Sequence, residues 1–70
     1  MRYDDFVELE PGDLVIVRVG KYKNKIFIVD WIDEAEETVH ASWSDMNNDI
    51  TPDPYPVVNF GRHGLMLFDY

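Results

Sequence analysis

Two runs of β-branched and aliphatic residues, separated by one short polar turn, constrain this chain more than any other feature. Residues 14–19 are six in number, five of them aliphatic and three of those valine. Residues 26–32 form a longer run rich in β-branched and aromatic side chains, and residues 20–24 between them are polar with a glycine at the start. Such runs favour extended backbone and predict two strands joined by a turn. Residues 38–43 alternate strictly, with Val39, Ala41 and Trp43 on one face and His40 and Ser42 on the other. Residues 57–60 and 65–68 supply two further short strands, and Gly61, Arg62, His63 and Gly64 predict a tight hairpin turn between them. Five strands in 70 residues leave no room for two full sheets, so the pattern predicts a mostly-β fold closed as a small antiparallel barrel.

The remaining segments are connections. Residues 1–11 predict an N-terminal arm folded across the barrel, either a strand or a helical turn beginning at Asp4 or Asp5. Pro11, Gly12 and Asp13 form a turn, and residues 33–37 an acidic turn too short for a helix of its own. Residues 44–56 are a long polar loop in which Pro52, Pro54 and Pro56 favour extended, unpaired backbone.

A chain of this size is one domain, residues 1–70, and buries only about 60% of the surface its unfolded form exposes. With no cysteine, neither disulfides nor a thiolate zinc site can reinforce it. Apolar packing must do so, and 46% of the residues are hydrophobic. No targeting signal or membrane span is legible, which predicts a cytoplasmic protein without membrane contact. The formal net charge of −8 disfavours free nucleic acid as a partner, because phosphate binding is driven by Lys and Arg. The charge is also polarised. Arg18, Lys21, Lys23 and Lys25 lie within eight positions, and no Lys or Arg follows until Arg62.

Gly12, Asp13, Val15, Val17, Gly20, Lys21, Lys23, Lys25 and Val29 stand in the spacing of a KOW motif, the strand-loop-strand unit of small barrels in ribosomal proteins and transcription elongation factors. Over residues 12–32 the chain therefore resembles a KOW-like, Src-homology-3-like barrel. Asn24 and Phe27 stand where that family has glycines. The resemblance implies that Val15, Val17, Val29 and Trp31 face the barrel interior. Alternation then points Leu14, Ile16, Ile26, Ile28 and Ile32 outward, an aliphatic strip expected to be covered by the arm through Phe6, Val7 and Leu9, or by a second chain.

Catalytic and metal-binding patterns are weak. Asp45, Asn47, Asp49, Thr51 and Asp53 alternate like calcium ligands, but Ile50 occupies the position needing glycine and Pro56 that of the bidentate glutamate. His40, Ser42 and Asp45 have the residue types of a hydrolase triad without any oxyanion-hole motif. No enzyme, metal or cofactor is expected. The expected function is a protein-interaction module. An acidic face of Asp33, Glu34, Glu36, Glu37, Asp45, Asp49 and Asp53 would steer it to a basic partner, and Tyr22, Trp31, Trp43 and Tyr55 would be its aromatic anchors. A specific form is an acidic nucleic-acid mimic, of the kind phages use as inhibitors, occupying a nucleic-acid-binding protein. The alternative implied by the resemblance is RNA or ribosome contact through Lys21, Lys23 and Lys25. A second alternative is a small structural protein that self-associates through the aliphatic strip, so the expected state is a monomer or weak homo-oligomer.

Overall fold

Strand and turn chemistry place the elements along the chain much as the pattern predicts. The structure is a computed structural model and describes residues 1–68. It contains α1 (Tyr3–Val7), β1 (Leu14–Val17), β2 (Ile26–Asp33), β3 (Thr38–Trp43), β4 (Val57–Gly61) and β5 (Leu65–Leu67). Single 3-10 turns lie at Asp45–Asn47 and Arg62–Gly64. Gly12 sits at φ +99°, a left-handed conformation that glycine alone adopts without strain, and its amide closes the turn onto the Val29 carbonyl at 2.8 Å. Asn24, in the turn before β2, takes φ +71°, which asparagine tolerates better than most residues.

The strands form one antiparallel sheet in the order β4-β3-β2-β1-β5. This overturns the expected barrel, Src-homology-3-like or KOW-like, because the sheet is open. Among the described residues β4 pairs only with β3, and β5 only with β1. The segment expected to be a hairpin turn is the reason. Arg62 N–H still donates to Glu37 O at 3.0 Å, extending the β3–β4 ladder, while Gly64 O already accepts from Arg18 N–H at 2.8 Å, starting the β1–β5 ladder. Within three residues the chain leaves one edge of the sheet and joins the other, so β4 and β5 share no ladder.

One face of the sheet carries the core. Phe6, Leu9, Val15, Val17, Phe27, Val29, Val39, Ala41, Trp43 and Leu65 are buried together. Phe27 is fully buried at its centre, with ring centroids 4.9 Å from Phe60, 5.4 Å from Tyr22 and 5.8 Å from Trp43. Burying each such side chain contributes about 1.5–3 kcal/mol. The N-terminal arm packs here too, but on the opposite face from the one expected. Phe6 and Leu9 enter the core beside Val15 and Val17, while Leu14, Ile16, Ile26 and Ile28 stay outside that cluster, each half-buried.

Trp31 departs from its expected inward direction for a local reason. In the β2–β3 register Val29 pairs with Ala41 but Trp31 pairs with His40, so Asp30 is an extra residue on β2. A one-residue bulge transfers every later side chain to the other face. Trp31 thereby turns out, half exposed at 51%, and Ile32 turns in to pack on the core. No helix among the described residues is long and apolar enough to cross a membrane.

Candidate interaction surface

The bulge sets the chemistry of the face opposite the core. Trp31 and His40 stack across the ladder with ring centroids 4.8 Å apart and planes 10° from parallel. Beside them the Ser42 hydroxyl donates to Asp30 Oδ2 at 2.6 Å. His40 pairs in turn with Asn59 on β4, and Ser42 with Val57, which is also half exposed. Towards β1 and β5 the same face continues through Ile28, Leu14, Ile16 and Met66, matched in register as Leu14–Ile28 and Ile16–Met66. A shallow groove of about 470 Å³ is lined by Leu14 and Ile28 of this face together with Trp43, Asp45, Met46 and Tyr55 among others. An exposed tryptophan in a partly apolar sheet face, with a carboxylate alongside, can stack on and pair with a cationic side chain.

The sequence-derived acidic residues fall into two groups. Asp33, Glu34, Glu36 and Glu37 occupy the β2–β3 tip, next to Trp31 in the chain. Asp33 Oδ1 accepts from Glu36 N–H at 3.1 Å, and Glu37 holds φ +55° and takes the Arg62 Nε hydrogen bond. Asp45 and Asp49 lie at the other end of that hairpin, on the order of 20 Å away at the rise of an extended strand. Asp53 belongs to the same 44–56 loop and is exposed.

The four aromatic candidates differ in what they offer a partner. Trp43 is 3% exposed and belongs to the core. Tyr22 is partly buried against Phe27 and Trp43. Tyr55 is half exposed, its hydroxyl donating to Trp43 O at 2.5 Å. Among the described residues, Trp31, half exposed, is the aromatic side chain that the sheet face offers a partner. Lys21 rests over the Tyr22 ring at 5.5 Å, Lys25 pairs with Asp49 at 2.7 Å, and Lys23 is exposed. The Asp49 carboxyl is held below the usual carboxylate range, first by the Lys25 hydrogen bond, then by the Ile50 amide and the Lys25 charge.

Asn47, one of the alternating polar residues, has a structural task. Its Oδ1 accepts from Ile26 N–H at 2.6 Å, and its Nδ2 donates to Ile26 O at 2.7 Å and Ser44 O at 2.9 Å. The carboxamide thus satisfies both backbone groups at the start of β2 and anchors the 44–56 loop to the sheet.

No protein-family model matches the chain, and a comparison with curated proteins also gives no match.

Proposed function

We propose that the protein is a non-catalytic interaction module that docks a basic partner on its open sheet face, with Trp31 as the anchor. The observation that carries this reading is the exposed Trp31 ring, turned out by the bulge at Asp30 and braced by His40. The neighbouring tip, Asp33 to Glu37, supplies the field that steers a cationic surface towards it, and the net charge of −8 reinforces that field. Arginine or lysine side chains that stack on Trp31 and pair with Asp30 or the tip carboxylates are the expected contacts. A basic groove built for nucleic acid has the complementary charge, so the partner class favoured is a nucleic-acid-binding protein, with the chain acting as a nucleic-acid mimic.

The test is a titration with a nona-arginine peptide followed by tryptophan emission. Binding should weaken steeply as salt rises, and Trp31→Ala should weaken it about fivefold, the worth of one moderate cation–π contact. Affinity insensitive to salt, or equal in the wild type and Trp31→Ala, would sink the proposal.

A further inference from the structure

All three arginines of this acidic chain meet at one groove, and we infer from the geometry that the groove between the N-terminus, β1 and the β4–β5 corner binds a phosphate group. Arg2, Arg18, Arg62 and His63 line a depression of about 550 Å³, together with Met1 and Asp5. They are far apart in sequence. The β1–β5 ladder brings them together, because Arg18 N–H donates to Gly64 O at 2.8 Å, and the Met1 amine donates to Arg62 O at 3.0 Å and Leu65 O at 2.8 Å.

The cations there are unequally committed. Arg62 is held in place: its Nε donates to Glu37 Oε1, its Nη1 donates to Met1 O at 2.8 Å, and its guanidinium lies 5.7 Å over the Tyr3 ring. The side chains of Arg2 and Arg18 are exposed and have no hydrogen-bond or ion-pair partner among the described residues. Four cationic groups, the Met1 amine included, face two carboxylates, Asp5 in the groove and Glu37 on Arg62, so positive charge is in excess. The Met1 amine has its pKa held below the ordinary value, first by desolvation and then by repulsion from Arg18 and Arg62, with Asp5 opposing. An oxyanion between Arg2 and Arg18 would relieve that repulsion. The guanidinium fork matches phosphate oxygens in shape as well as charge.

A phosphate group can come from a small molecule or from a nucleic-acid backbone, and two probes separate these. Isotope-labelled protein is titrated with inorganic phosphate at constant ionic strength, against chloride, and in parallel with a short oligothymidylate. Saturable shifts at Arg2, Arg18 and His63 with inorganic phosphate are expected. Arg2→Gln and Arg18→Gln should each lower the affinity at least fivefold, while Lys21→Gln and Lys23→Gln leave it unchanged. Tighter binding of the oligothymidylate at the same residues assigns the groove to a phosphodiester backbone, and tighter binding of inorganic phosphate assigns it to a small-molecule phosphate. Shifts that fail to saturate, that chloride reproduces, or that persist in both arginine variants would overturn the inference. Both substituted arginines are exposed, so loss of fold is not expected, and the unchanged remainder of each spectrum checks it.

Discussion

Trp31 and His40 face each other across the β2–β3 ladder, their rings 4.8 Å apart and 10° from parallel, on the side of the sheet that carries no core. The stack orders a large aromatic surface without burying it. Its loss should therefore cost far less than the loss of a core ring. Trp31→Ala is expected to lower stability by about 0.5–1.5 kcal/mol, the typical worth of an aromatic pair. Trp43→Ala, at 3% exposure, should cost about 3–5 kcal/mol. Urea denaturation of the two variants checks the contrast, and equal losses would show that Trp31 is a structural residue.

Phe27 sits where the KOW pattern has a glycine, and it has become the centre of the core. Phe27→Gly should cost at least the ~3–5 kcal/mol of a buried phenylalanine truncation, a large share of the stability of so small a domain. Far-ultraviolet circular dichroism at 25 °C is expected to show a substantially unfolded chain. A cooperative thermal transition within a few degrees of the wild type would contradict the placement of Phe27.

Strand existence was legible in the sequence because β-branched runs and turn residues are local signals. Closure was not, since it depends on whether β4 and β5 find each other, and only the route through Arg62–Gly64 decides that. Nor was the direction of Trp31. Simple alternation from Val29 points it inward, and the extra residue Asp30 reverses it without any glycine or proline to mark the bulge. The acidic tip was legible because Asp33, Glu34, Glu36 and Glu37 fall within five consecutive positions, interrupted only by Ala35. The arginine groove was not, because positions 2, 18 and 62 become neighbours only through the β1–β5 ladder and the N-terminal contacts.

Asn47 is the polar residue with the most to lose on substitution. Asn47→Ala strands the N–H of Ile26 in a partly buried position, while Ile26 O keeps the Ser44 N–H at 3.1 Å, and should cost about 1–3 kcal/mol. Asn47→Asp keeps the acceptor but loses both donated bonds and should fall between the wild type and the alanine variant. Chemical denaturation of the three proteins gives the order, and a neutral Asn47→Ala would refute the assigned role.

The Lys25–Asp49 pair makes a pH-dependent contribution. The folded-state pKa of Asp49 is lowered, so the stabilisation is present above the ordinary aspartate range and is lost as pH falls through the depressed folded value. In Lys25→Met the Asp49 carboxyl should titrate higher, nearer the ordinary value. Carboxyl carbon shifts recorded across an acid titration test this directly, and an unchanged Asp49 midpoint would remove the pair as the cause.

In the proposed function the bulge at Asp30 makes Trp31 the anchor for a basic partner. Two-dimensional amide and indole spectra recorded during a nona-arginine titration test it most directly, because the two tryptophans are on opposite faces. The Trp31 indole N–H, His40, Glu34 and Glu36 are expected to shift saturably at low salt, the Trp43 indole to stay in place, and the shifts to collapse at high salt. Shifts centred elsewhere, or a Trp31 indole that does not move while the peptide binds, would contradict it.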